Sequence, residues 1–389
     1  MTNGNLEAKD WAFSESEYRG RVARAKEALK QAGIDCAVCV GPELLYYYAG
    51  YDAHTFFQFQ GLVFGPGDDE PTFVMRDVDR GRAEVTSWVS DLRLYRHGAD
   101  DPVKMTVNAV KERLTSSSRV GADLKAYAFT GLQAIRLKEA LAPATLEDFT
   151  RGLDGVRLSK SDAEMVYVRR AAEIATVGLE QAKAAARPGI TEIGLAGEIE
   201  TAMRQAGTEY PAMPTWIHSG PRRIGHKTPD RRVLESGDLV ALEFAGVHRR
   251  YHAATMQTFA VGEPSRDARD AYNIALRAIR AGCKNIEIGR KVADAEQAVV
   301  ESLIADGFDP SVRARFGYGV GIAYPLTWLE SLDITLESDQ VFERNMTFVL
   351  HTSSIDPDKQ QHILVGGAYA VTDNGLKAMS GGDFELQVV

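Results

Sequence analysis

Residues 237–262, GDLVALEFAGVHRRYHAATMQTFAVG, read as two strands around a turn, and they set Glu243 in the middle of an otherwise apolar strand. The facing strand offers Ala254 where a second acid would pair with it. A buried carboxylate without a partner costs several kcal/mol, so its place in such a strand points to function. The structural alternative is an acid satisfied by Tyr318 or His351, which fall in strand-rich sequence further on.

Outward from this hairpin the chain has two parts. From about Ser14 to Asp148, helical stretches such as YRGRVARAKEALKQAG alternate with short apolar runs such as CAVCVG, LVFG and PTFVM, the pattern of an α/β domain with a mainly parallel sheet. The second part opens at RLSKSDAEMVYVRRAAEIATVGLEQAKAAARPG, which puts the boundary near Leu158. Ser161 and Glu164 make a capping box, Met165, Val168, Ala172, Ala175 and Leu179 share one helical stripe, and Pro188-Gly189 ends the helix. A second helix, TEIGLAGEIETAMRQAG, stops at Gly207. The pair recurs about 100 residues later as RDAYNIALRAIRAG and GRKVADAEQAVVESLIADG, ending at Gly307, and such an offset predicts a duplicated domain around one central site.

Composition narrows the function. A chain of 389 residues with 44% hydrophobic content is long enough for two domains with sizeable cores. A net charge of −9 argues against nucleic-acid or membrane partners, which need a basic surface, and favours a small-molecule substrate. The N-terminal sequence carries no basic region followed by an apolar stretch, and no run approaches the ~18 apolar residues of a spanning helix, so a cytoplasmic protein is expected. Cys36 and Cys39 form a C-x-x-C within a β-rich run, where residues three apart point to opposite faces; buried thiols are expected there.

In order, SKSDAEMVYVRRAAEIATVGLEQAKAAARPGITEIG, SGP, GHKTPDRRVLESGDLVALEF, FGYGVGIAYP, NMTFVLHTSS and AYAVTDNG resemble the pita-bread fold of prolidase, aminopeptidase P, methionine aminopeptidase and creatinase. The resemblance implies a mixed α/β (α+β) protein: an N-terminal creatinase-like domain over residues 1–158, then a pita-bread domain over 159–389 with duplicated helix pairs around curved antiparallel sheets. Prolidase-like members hold two metal ions with two Asp, one His and two Glu. Those positions fall here on Glu243, Ala254, Tyr318, His351 and Gly366. One Glu with one His cannot neutralise two divalent ions, so no metal, no cofactor and no metallopeptidase activity are expected.

Metal-free members suggest another chemistry. Creatinase uses a His just upstream of the "GD" strand, and HKTPDRRVLESGD has the same spacing, which places that role on His226. Creatinase's own acidic positions fall on Met256 and His351. A closer local match is to ectoine hydrolase-like proteins, through Glu243, Arg250-Tyr251-His252 and the GIAYPLTWLE segment with Tyr324, Pro325 and Trp328. The expected enzyme is a metal-independent hydrolase of an amidine-like or cyclic amide-like, non-peptide C–N bond in a small polar, nitrogen-rich compound. Glu243 would be nucleophile or general base, His226 the proton shuttle and His351 an orienting or second acid–base group. Tyr318, Tyr324, Trp328, Trp216 and His252 would line the pocket, and the glycines beside Tyr318 would let backbone approach the ligand. Phe56, Phe57 or Phe59, in GYDAHTFFQFQG, would reach a partner subunit's pocket in a homodimer, as in creatinase-like proteins. A lyase or rearrangement step at the same pocket and an inactive pita-bread binding module are the alternatives. His54, His97, His218 and His362 fall in no usable pattern.

Overall fold

A computed structural model describes residues 9–389 apart from 116, 223–226, 308–314, 357–360 and 381–383. It divides into two compact units, Met1–Arg157 and Leu158–Val389. Among the described residues no helix is long and apolar enough to cross a membrane.

In the first unit α1 (Glu15–Ala32), β1 (Cys36–Cys39), α2 (Pro42–Ala49), β2 (Gly61–Phe64), β3 (Thr72–Arg76) and α3 (Arg80–Thr86) lead to β4 (Asp91–Tyr95). Then come α4 (Pro102–Lys111), β5 (Arg119–Ala122), α5 (Gly131–Leu141), β6 (Thr145–Asp148) and α6 (Thr150–Gly155). The strand order is β4-β3-β2-β1-β5-β6. The sheet is mixed with parallel pairings in the majority: β1–β5, β5–β6 and β3–β4 are parallel, whereas β1–β2 and β2–β3 are antiparallel. The Gly- and Pro-rich connection 65–71 between β2 and β3 is too short for a crossover and allows only a hairpin. Cys36 and Cys39 are buried free thiols, and burial pushes Cys36 up to about 12.

The second unit begins with the expected capping box: the Ser161 hydroxyl accepts from the Glu164 amide, and the Glu164 carboxylate accepts from the Ser161 amide. From there α7 (Asp162–Ala185) and α8 (Glu192–Gln205) pack together, and β7 (Trp216–Ser219), β8 (Asp238–His248) and β9 (Tyr251–Val261) follow. The second helix pair, α9 (Arg266–Cys283) and α10 (Val292–Ala305), precedes β10 (Gly317–Tyr324), β11 (Thr327–Ile334), β12 (Thr347–Asp356), β13 (Gln361–Thr372) and β14 (Gly375–Ala378). These strands form one sheet in the order β11-β10-β12-β13-β9-β8-β7, with β14 on β13 and a further contact between β10 and β9. On one face, Val240, Leu242 and Phe244 of β8 pack on α7 and α8, and Phe348, Leu350, Ile363 and Val365 pack on α9 and α10. Alternation along each strand turns the residues between these to the other face, which no helix pair covers in the same way.

Two motifs singled out in the sequence prove to be scaffold. Arg249 and Arg250 take positive φ at the β8–β9 turn, a conformation non-glycine residues adopt only when held there. Glu209 holds it, accepting from both amides and from the Arg250 guanidinium at 2.5 Å. Tyr251 donates to Glu164 at 2.6 Å, tying the hairpin to the first turn of α7. The glycines around Tyr318 likewise make room for protein rather than ligand. A Cβ on Gly321 would lie 2.3 Å from Glu330 Oε1, and one on Gly319 would lie 3.1 Å from Glu330 Cβ. Glu330 there receives the ammonium of Lys160, which also donates to the Leu158 carbonyl at 3.1 Å, and both side chains of the pair are 1% exposed. Lys160→Met should therefore cost about 3–5 kcal/mol, the scale for stranding a buried charge, while Lys160→Met with Glu330→Leu should recover most of it. Urea unfolding of the two variants checks this; equal losses in both would contradict the pairing.

Candidate functional site

The register of the second sheet draws five side-chain positions into one row. Trp216 pairs with Glu243, Glu243 with Met256, Met256 with Gly366, and Gly366 with His351, across β7, β8, β9, β13 and β12. Directly paired residues of antiparallel strands project to the same face, so this row is the floor of the site. Tyr318 of β10 pairs with Val349, two residues from His351, and shares that face. Ala241, Ala245, Ala254, Met256, Val320, Val349 and Leu364 make the surface around the row apolar.

Glu243 is therefore an acid in an apolar floor. It is 7% exposed, and among the described residues no hydrogen bond or ion pair engages its carboxyl. Burial pushes it up to about 8, and among the described residues nothing positive lies close enough to hold the carboxylate ionised. At neutral pH it is mainly the protonated acid. Tyr318 is its polar neighbour: burial first, and then the Glu243 charge, push the phenol well above its ordinary range, so it remains a hydroxyl. Its oxygen accepts from Trp328 Nε1 at 3.1 Å, which leaves its own proton to donate elsewhere. The His351 ring lies 5.9 Å from that of Tyr318, edge to face.

The other expected site residues separate from this group. Trp216 is half-buried and stands in the row beside Glu243. Trp328 is fully buried and serves the site through Tyr318. Tyr324, also buried, has the Arg250 guanidinium 5.6 Å from its ring centre. His252 is fully buried, its Nδ1 donating to the Arg250 carbonyl at 2.8 Å and its Nε2 accepting from the Ala212 amide at 3.0 Å. Both ring nitrogens are spent on main chain, and burial pushes the ring down to about 3, so it fixes structure and offers a ligand nothing. Phe56 and Phe57 form a short 3₁₀ turn, His54–Phe57, in the first unit, with Phe57 60% exposed, whereas Phe59 is buried in that unit's core against Phe129. His226 lies outside the described residues.

Sequence reasoning passed over His218 and His362. His218 pairs with Ala241 and so faces the same way as Trp216 and Glu243; the rings of His218 and His362 are 5.0 Å apart. The usable signal was the alternation of W-I-H in a strand next to that of Glu243, but the pairing partner of that strand cannot be read locally.

The five positions that the resemblance assigns to metal ligands do fall on this floor, and their donors do not fit a dinuclear centre. Only Glu243 and His351 carry ligating groups, and among the described residues no group of three His, Cys, Asp or Glu is arranged to hold a metal ion. At Gly366 a Cβ would lie 2.0 Å from the Leu350 carbonyl oxygen and 2.7 Å from His351 Cα, so this backbone has no room for a glutamate there.

Comparison with known proteins gives the lineage. Residues 166–376 match the profile of metallopeptidase family M24, and residues 21–159 that of the creatinase/prolidase N-terminal domain. An uncharacterized hydrolase/peptidase of Sinorhizobium fredii is 27% identical over 82% of this chain and 84% of its own. The ectoine hydrolase of Halomonas elongata is 26% identical over 86% of this chain and 88% of its own. The solved Xaa-Pro dipeptidase from Bacillus anthracis superposes with a TM-score of 0.83 at 23% identity, covering 96% of this chain and all of that one. The expectation of an enzyme standing apart from the metallopeptidases and confined to non-peptide bonds is overturned by the match to a metallopeptidase family.

The perturbed acid sets a pH signature. The native Glu243 carboxyl keeps its proton up to about 8, whereas the unfolded chain releases it near the ordinary 4.5, so between these values the native state binds more protons. Its contribution therefore falls as pH rises through that window, by up to about 1.4 kcal/mol per pH unit. Glu243→Gln removes the effect. The variant should match the wild type near pH 4.5 and become progressively more stable than it toward pH 8. Denaturant unfolding across that range tests this; a pH-independent difference would contradict it.

Proposed function

The chain is a hydrolase of metallopeptidase family M24 with a creatinase/prolidase N-terminal domain, and from that premise we propose that it opens a C–N bond without a metal ion. The substrate is a small, polar, nitrogen-rich compound with an amide- or amidine-type bond, peptide bonds included. The observation that carries this reading is Glu243: a buried acid, without a partner among the described residues, on the floor where the family's metal ligands are replaced by Ala254, Tyr318 and Gly366.

In this proposal a cationic or strongly dipolar substrate draws Glu243 into its ionised form, its proton passing to bulk solvent, since among the described residues the floor supplies no competing positive charge. The carboxylate takes a proton from a water molecule whose oxygen bonds to the carbonyl or amidine carbon. The C–N electron pair then passes to nitrogen, which receives the proton from Glu243 and leaves. Tyr318, its oxygen already occupied by Trp328 Nε1–H, donates its own proton to the charge developing on the attacked group. His351 orients the substrate from the far end of the row. His226 is the second acid–base group, and His226→Ala tests that role by loss of turnover with substrate binding retained.

Ectoine and a Xaa-Pro dipeptide are the first compounds to assay, taken from the names of the two kinds of relative. On the substrate that is turned over, Glu243→Gln should lose at least ~100-fold in kcat, the scale for removing a general base, with little change in KM. Wild-type enzyme treated with chelator should keep its activity. Turnover that vanishes with chelator and returns with about two Mn²⁺ or Zn²⁺ per chain would overturn the metal-free mechanism.

We also propose that the chain works as a homodimer, with the exposed Phe57 and its half-buried neighbour Phe56 against the second copy, because an exposed phenylalanine packed on a second ring favours an interface. Light scattering at micromolar concentration should give twice the chain mass. A monomer, or a dimer unchanged by Phe57→Ser, would contradict it.

A further inference from the structure

His218 is the group on the site face that the mechanism above leaves unused. It is 5% exposed, and neither of its ring nitrogens has a hydrogen-bond partner among the described residues. Buried polar groups left this way are uncommon and energetically costly, so a missing partner is itself informative. His218 does not stand alone. The His362 ring is 5.0 Å away at a tilt of 53°, reaching the same place from β13.

The surrounding charges decide which partner is missing. Burial, then His362, Arg222 and Lys227, hold His218 down to about 3; the neutral ring thus sits in a field that opposes a positive charge. That field is built in. Arg222 and Lys227 are both fixed by Glu192, a fully buried carboxylate at the start of α8, which also accepts from the Ser219 amide at 3.0 Å and hydroxyl at 2.6 Å. Asp230 pairs with both cations as well, and the charges of Arg222 and Lys227 still bear on His218. A cation would be repelled there, and an uncharged group would gain nothing from the field. An anion gains from it and supplies the acceptor that an imidazole N–H lacks.

We infer that His218 and His362 form the subsite that holds a carboxylate of the substrate. The spacing suits one small molecule: Ala241, the register partner of His218, is two residues along β8 from Glu243, about 7 Å at strand rise. An amino-acid derivative that anchors its carboxylate between the two histidines reaches Glu243 with a C–N bond a few atoms away. The substrate class is therefore narrower than a nitrogen-rich compound: it carries a carboxylate at one end and the scissile bond at the other. This placing of the bond rests on the role proposed for Glu243, but the anion contact does not.

The experiment uses acetate and N-acetylglycine as probes, with acetamide and N-acetylglycinamide as their uncharged counterparts. In ¹⁵N-histidine-labelled enzyme, the carboxylates should shift the ring-nitrogen resonances of His218 and His362, and the amides should not. His218→Phe should weaken N-acetylglycine binding at least ~10-fold, the loss of about one charge-assisted hydrogen bond, whereas Glu243→Gln should bind it normally while lacking turnover. The spectra of the unmutated enzyme keep the test valid if the Phe variant folds poorly. Equal responses to carboxylate and amide, or Zn²⁺ alone bound between the two rings, would overturn the inference. Loss of the carboxylate response with Glu243 still essential would remove this subsite and leave the hydrolytic reading standing.

Discussion

A carboxyl group placed in an apolar sheet face, with no positive charge beside it, cannot ionise cheaply at neutral pH. That constraint organises the second unit of this protein. The cross-strand row of Trp216, Glu243, Met256, Gly366 and His351 requires five strands in one register, and the two helix pairs on the opposite face keep those strands packed. The positions that the resemblance assigns to metal ligands hold one acid, one imidazole, a phenol, an alanine and a glycine here.

Four other buried or half-buried glutamates contrast with Glu243. Glu330 is closed off with Lys160, Glu209 clamps Arg250 at a strained turn, Glu164 caps α7 while receiving Tyr251, and Glu192 gathers Arg222, Lys227 and Ser219. Each of these acids is buried or half-buried, and each accepts from at least one donor. Fold stability draws on the paired acids, and the proposed reactivity rests on the unpaired one. His218 repeats the contrast among the imidazoles, since His252 has both nitrogens satisfied by main chain and His218 has neither satisfied among the described residues.

What the sequence revealed follows the range of the interactions involved. The hairpin around Glu243, the Ser161–Glu164 box and the two helix pairs were legible because their signals lie within a few residues of one another. The helix alternation of the first unit points to a mainly parallel sheet, and three of its five pairings are parallel; the antiparallel β2–β3 pair comes from a seven-residue connection that allows only a hairpin. The glycines around Tyr318 looked like space for a ligand, but the atoms they accommodate belong to Glu330 and Lys160, far away in sequence. His252 looked like a pocket residue for the same reason: its partners are main-chain groups of Arg250 and Ala212 that no motif announces. His218 and His362 escaped notice because they come together from β7 and β13, far apart in sequence and not neighbours in the sheet.

The central claim is that Glu243 stands as a neutral acid on the floor to which the resemblance assigns metal ligands, and its protonation can be observed directly. In the difference infrared spectrum between wild type and Glu243→Gln, recorded in chelator-treated enzyme, a protonated-carboxyl C=O band should persist at pH 7 and titrate away near pH 8. A carboxylate already ionised at pH 5, or a proton lost on adding stoichiometric Mn²⁺ or Zn²⁺ at neutral pH, would show that the acid still serves as a metal ligand and would contradict the account.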